Sequence, residues 1–252
     1  MTEKTEKTLA GQVAVIVGGS RRTGREAAIG LAEDGAHVIV TARSSQGEID
    51  DVVAAIEAVG GTGEAVLMDV TEEASVQSVF DKIKADHGRL DILINNAAIR
   101  KMSPFMETSL ADWRTIMATN LDGVFLCCRA ALPMMVAQKS GTIVNMGGVT
   151  GHIGASKRAH VSATKAAVVA LTKSLALEFA EYGITVNCVS PGKIGGERAA
   201  SAGASPLSAS AVPLGREGDV TESAAVVRFL CQPSSKFMTG QTLHINGGMY
   251  MP

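Results

Sequence analysis

Short β-branched apolar runs alternate along this chain with longer stretches of helical periodicity. Seven short runs predict strands, at Val13–Val17, 37–41, 65–68, 90–94, 142–146, 185–189 and Thr242–Ile245. Amphipathic or apolar helical patterns lie between them, at 25–34, 49–59, 75–87, Leu110–Gln138, 162–182 and 221–230. Regular β–α alternation implies crossover connections and a parallel sheet covered by helices on both faces. The expected fold is therefore α/β and doubly wound, with a seven-stranded parallel sheet in a single domain.

Length and composition fit that picture. The 252 residues are 46% hydrophobic and 19% charged, enough apolar surface for one large core. Residues 1–10 read as a polar tail before a domain spanning 11–252. The segment 193–213 is rich in Gly, Ala and Ser and lacks periodicity. It follows a strand's carboxyl end, where α/β sheets bind ligands, and is expected to act as a lid.

Charge excludes some partners. A net charge of −2 gives no global attraction to nucleic acid or an anionic membrane. The polar, mixed-charge start is unlike a signal peptide, and no run is expected to reach the apolar length of a membrane span. Cys127, Cys128, Cys188 and Cys231 lie in apolar runs without metal-binding spacing, so buried thiols and no metal are expected. A cytoplasmic enzyme acting on a small molecule is the resulting expectation.

The first strand carries the first chemical signal. It runs into Gly18-Gly19-Ser20-Arg21-Arg22-Thr23-Gly24 and then a helix. Glycines permit a tight turn and close backbone approach. The helix start offers unpaired N–H groups and a positive dipole end to a pyrophosphate. Where an NAD site usually places a carboxylate, about 20 residues on, this chain has Ala42, Arg43 and Ser44. An arginine can pair with a 2′-phosphate that a carboxylate would repel, and Arg21 is a second candidate. NADP(H) is therefore expected over NAD(H), on a Rossmann-type site.

These and later motifs resemble the short-chain dehydrogenase/reductase family over nearly the whole chain. Gly18 and Gly24 match the outer glycines of its turn, with Val17 at the initial Thr and Arg22 at the middle Gly. Asp69-Val70 is similar to the pair beside the adenine. Asn95-Asn96-Ala97-Ala98 is similar to the family's N-N-A-G. Pro191-Gly192 with Ile194 resembles the turn near the nicotinamide, and 243–248 the last strand and its turn. The resemblance implies a catalytic Asn120 and a Lys165 that holds the nicotinamide ribose. It also implies pairing of copies through Leu110–Gln138 and 162–182, where Ala166, Ala167 and Ala170 form a small-residue face. A homodimer or homotetramer is expected.

The resemblance also implies a departure. The family's catalytic serine aligns with Gly148 and its tyrosine with Val161. Valine cannot transfer a proton, and losing a positioned acid typically costs about 10²–10⁴ in rate. His160 is adjacent and is a candidate acid, although one residue rotates a helical side chain by about 100°. With His152 and Lys193 expected at the pocket mouth and Arg100 at its rim, an anionic substrate is suggested. His37, His87 and His244 are assigned structural roles. Three activities remain open: an NADP-dependent oxidoreductase with a non-standard proton donor, a redox-silent NADP-binding sensor or partner subunit, and a lyase, isomerase or demethylase-like enzyme.

Overall fold

In a computed structural model, residues 7–196 and 208–252 are described. The strands are Val13–Val17 (β1), His37–Ala42 (β2), Thr62–Leu67 (β3), Ile92–Asn95 (β4), Gly141–Met146 (β5), Ile184–Pro191 (β6) and Thr242–Ile245 (β7). All pair in parallel, in the order β3-β2-β1-β4-β5-β6-β7. Strand pleating explains why the interior runs are apolar throughout. Val13, Val15 and Val17 feed one core, and Ala14 and Ile16 feed the other. The helices Glu73–His87 (α3), Gly123–Gln138 (α5) and, after the short Thr150–Ile153 (α6), Ala159–Phe179 (α7) contribute to the first core. Arg22–Glu33 (α1), Gln46–Ala58 (α2) and Val220–Cys231 (α8) contribute to the second.

The order reverses at β1, whose neighbours are β2 and β4. Chain leaving the carboxyl ends of β1 and β4 diverges there and opens a crevice. That crevice holds the candidate site.

Helix boundaries differ from the sequence pattern in a consistent direction. α1, α2 and α3 start two or three residues before the apolar periodicity begins, at Arg22, Gln46 and Glu73. First turns are polar because they face solvent or the crevice, so periodicity detects only the second turn onward. β3 begins at Thr62 instead of 65, because an edge strand with half-covered faces tolerates Thr62 and Glu64.

Two expectations are corrected. Of the expected tail, residues 1–6 lie outside the described residues and residues 7–10 are tied to the domain: Leu9 is 0% exposed within the second core, and its N–H donates to Asp34 O at 2.9 Å. One segment does reach membrane-span length and hydropathy. Leu110–Gln138 is a 29-residue helical run formed by Leu110–Met117 (α4), a π-helical turn at Ala118–Asp122 and α5. Half of its most apolar window is buried against the rest of the protein, as for a core helix of an α/β domain. Of the expected lid, residues 197–207 lie outside the described residues. The flanks are tied down, through a bridge between Ile194 and Gly218 and through buried Val212.

Leu9→Ala is expected to lower the unfolding free energy by about 2–5 kcal/mol in chemical denaturation, as for a large-to-small change in a filled core. A loss below about 1 kcal/mol would return residues 7–10 to the status of a tail.

Candidate active site

The crevice is built on two turns that touch. Gly18, at φ +76°, follows β1, and a Cβ there would lie 2.6 Å from the Cα of Ala97, just past β4. Asn96 Nδ2 donates to Gly18 O at 2.6 Å. A Cβ on Gly24 would sit 2.5 Å from that same oxygen and 2.6 Å from Nδ2. Both glycines are thus required by backbone packing. Arg22 occupies the remaining position of the turn at φ +52°, a left-handed conformation costing a non-glycine residue roughly 1 kcal/mol. Its side chain reaches across the crevice, and Nη2 donates to Ile194 O at 3.1 Å.

α1 starts at this turn without a side-chain cap. Arg21, at the cap position, instead pairs with Glu48 at 2.8 Å. The first-turn N–H groups are left for an anion. Arg43 and Ser44, just beyond β2, form the exposed rim. Across from them, burial pushes the Asp69 carboxyl up, but two hydrogen bonds from Thr71 (2.9 and 2.7 Å) and the Arg43 charge bring it below its ordinary value.

At the other end lies Lys165, only 5% exposed. Its Nζ donates to Met146 O, at the end of β5, at 2.6 Å. Burial lowers its pKa to about 8, with the Arg100 charge acting in the same direction. α7, which carries Lys165, is pinned to the sheet by a polar ladder. Asn95 Nδ2 donates to Asn145 Oδ1 (2.9 Å), and Asn145 Nδ2 donates to Thr172 Oγ1 (3.0 Å).

These parts enclose a cleft of about 660 Å³. It is lined by Gly18, Ser20, Arg21, Arg22, Thr23, Arg43, Ser44, Asp69, Val70, Asn96, Ala97, Lys165, Pro191, Gly192 and Ile194, and also by Arg100, Gly148, Val161 and Lys193. Gly24 lies behind this lining, against Gly18 and Asn96. A Cβ on Gly148 would meet only the Lys165 Cγ, at 3.7 Å, so the space above the lysine stem is open.

Four expected residues behave differently. His160, the candidate acid, is 1% exposed. It is absent from the cleft lining, and neither ring nitrogen has a hydrogen-bond partner among the described residues. One residue's rotation along α7 turns it away from Val161 and Lys165. Burial holds its imidazole below the ordinary value; Asp112 pulls the other way, while Lys101 and Arg158 reinforce burial. His152 is not at the pocket mouth. It stacks on Tyr250 (4.9 Å between centroids) and meets His244 edge-on (4.6 Å). Asn120 also lies outside the lining. It sits in the π-helical turn, accepting from Ile99 N at 2.8 Å and donating to Ile99 O at 3.0 Å. Lys193 lines the cleft, but its charge is paired with Glu217 at 2.8 Å, which weakens the expected basic rim.

Arg158, Thr150 and Glu217 also line the cleft and were missed. Arg158 is buried at the cap of α7. Polar neighbours Lys157, His160 and Ser162 left Arg158 without a local signal. Glu217 had none, being separated from Lys193 by a segment without periodicity.

Comparison with known proteins agrees with this geometry. The family described as enoyl-(acyl carrier protein) reductase matches residues 20–250. The 3-oxoacyl-[acyl-carrier-protein] reductase FabG of Escherichia coli is 40% identical over 243 residues, covering 96% of this chain and 98% of that protein. FabG of Staphylococcus aureus is 40% identical over 240 residues, covering 94% and 98%. A crystal structure of a gluconate 5-dehydrogenase from Burkholderia cenocepacia, in complex with NADP and tartrate, superposes with a TM-score of 0.89 at 33% identity over 97% of both chains. The chain belongs to the short-chain dehydrogenase/reductase family.

Proposed function

We propose that this protein is an NADP-dependent oxidoreductase of a small carbonyl or alcohol in which Lys165 is the proton donor. The observation that carries this reading is the buried ammonium at the inner end of the cleft, with its pKa at about 8. The uncapped start of α1, the Gly18–Gly24 turn and Arg43 suit a phosphorylated dinucleotide. The NADP bound to the structurally similar gluconate 5-dehydrogenase supports the same cofactor. When bound, the nicotinamide supplies or takes the hydride. The chain's own task is to hold and move the proton.

Gly148 and Val161 stand at the positions that the family resemblance gives to serine and tyrosine, and neither can donate a proton. Lys165 lies one helical turn after Val161, on the same face of α7. His160 is turned away and is not the acid. Asn120 positions the backbone of Ile99 and, through it, the cleft wall beside Arg100. Arg100 and Arg158 favour a substrate that carries or develops negative charge.

The pH dependence follows in sign. A lysine that donates must be charged, so kcat/KM for carbonyl reduction should be level below about 8 and fall above it. Alcohol oxidation needs the neutral amine and should rise over the same interval. Lys165→Met is expected to cost about 10²–10⁴ in kcat/KM, whereas His160→Gln should leave the profile in place. Gly148→Ser with Val161→Tyr should raise the rate and move the pH dependence. A profile flat through pH 8, or turnover indifferent to Lys165→Met, removes Lys165 from the role. Cofactor binding with no turnover across a broad carbonyl and alcohol panel favours the redox-silent reading instead.

For cofactor choice, Arg43→Glu is expected to weaken NADPH binding by roughly tenfold or more and to leave NADH nearly unchanged. Equal losses for both would show that Arg43 does not read the 2′-phosphate.

Self-association is proposed through α5 and α7. Ala166 and Ala170 are exposed one turn apart, Leu177 is 84% exposed two turns further along α7, and Phe125 is exposed on α5. Light scattering should report a dimer or tetramer, and Leu177→Asp should shift it toward monomer. A monomeric unsubstituted chain would rule this out.

A further inference from the structure

At the amino-terminal edge of the sheet, opposite the cleft, three side chains from distant parts of the sequence converge. His37 opens β2, Glu64 lies on β3, and His87 ends α3. Parallel pairing places His37 beside Thr62 and Ile39 beside Glu64, so His37, Thr62 and Glu64 share one face of the sheet. The C-terminus of α3 brings His87 over that face. His37 Nε2 is 3.3 Å and His87 Nε2 is 2.8 Å from the same oxygen, Glu64 Oε1. One ligand atom from each residue lies within 4.8 Å of the other two.

We propose that His37, Glu64 and His87 form a binding site for a divalent transition-metal ion of zinc-like preference, completed by water. Two imidazoles and a carboxylate are a borderline donor set that suits Zn²⁺ and its neighbours and discriminates against Mg²⁺. Around a tetrahedral ion with bonds of about 2.0–2.2 Å, ligand atoms lie about 3.3 Å apart. The 2.8 and 3.3 Å separations lie near this value, so a small outward rotation of half-buried side chains admits the ion. The surroundings orient the ligands. His37 Nδ1 is 3.0 Å from Thr62 Oγ1, which leaves Nε2 to face Glu64. Lys82 lies 3.5 Å from the other Glu64 oxygen, and Asp86 pairs with Lys82 and offsets its charge.

The Glu64 carboxyl is ready for this role at neutral pH. Burial raises its pKa, but the two histidine hydrogen bonds and the Lys82 charge together hold it below the ordinary glutamate value. The site would join the edge strand β3 to α3. Its effect would be on stability, at a distance from the chemistry of the cleft.

The test uses the full chain without a histidine tag, stripped with chelator, and Zn²⁺ alone as the probe. Calorimetry at about pH 7.5 should give one ion per chain. Melting temperature should rise with Zn²⁺ and not with Mg²⁺. Glu64→Gln and His87→Gln should each weaken Zn²⁺ binding roughly tenfold or more. His152→Gln, in the other histidine cluster, should not. Co²⁺ on the unsubstituted chain should give intense four-coordinate visible bands, a readout that survives even if a variant fails to fold. Absence of saturable Zn²⁺ binding, six-coordinate Co²⁺ spectra, or binding unchanged in Glu64→Gln would each overturn the proposal.

Discussion

The hydrogen bond from Asn96 Nδ2 to Gly18 O, 2.6 Å long, is the contact from which the rest of the cleft is laid out. It joins the turns that leave β1 and β4, the two strands flanking the switch point. Parallel strands have no hairpins to close their ends, so the crevice must be shaped by such cross-turn contacts. Both turns approach so closely that Gly18 and Gly24 have no room for a Cβ. That approach in turn fixes where α1 begins, and α1's uncapped first turn is what makes the crevice receptive to an anion. Arg22 shows the limit of the constraint. Its left-handed backbone keeps the turn's shape, and its side chain spans to Ile194 instead of filling the floor.

The inner end of the cleft is governed by the opposite problem, a charge almost wholly buried in protein. Lys165 has one close acceptor, Met146 O, for an ammonium with three protons. An ion so placed is held only if the surrounding elements cannot relax around it. The Asn95–Asn145–Thr172 ladder locks α7 to β4 and β5, and the Asn120 amide fixes the Ile99 backbone on the far side. The π-helical turn that breaks α4 from α5 is what aims Asn120 at Ile99, an irregularity of the kind found where function needs a side chain re-aimed.

Much of this was legible in the sequence, and the exceptions share a cause. Interior strands were readable because both faces are buried, so apolar runs stand out. β3 was read late because an edge strand carries Thr62 and Glu64 without penalty. The Gly turn was readable because close backbone approach leaves a local mark at Gly18 and Gly24. Pairings between distant residues leave no such mark. Lys193 with Glu217, Leu9 under α1, and His37 with Glu64 and His87 are set by register and by where a helix ends, neither of which appears as a period. The histidines were misplaced for a related reason. His160 differs from Val161 by one position in sequence but by about 100° on the helix. His152 turned out to pack with His244 and Tyr250, which sequence separation hides.

The wall of the cleft beside Lys165 is apolar, and this bears on the lysine's charge. Val161 precedes Lys165 by one turn of α7, so their side chains share a face. The Val161 side chain offers the ammonium no acceptor, and Gly148 adds no polar atom above the lysine stem. Burial is the main cause of the lysine's depressed pKa, brought down to about 8. A lysine at its ordinary value near 10.4 is a poor acid at neutral pH, because its proton is held too firmly. One near 8 remains mostly charged at neutral pH and yields its proton far more readily. The apolar wall that buries the ammonium is therefore also what brings its proton within reach of neutral pH.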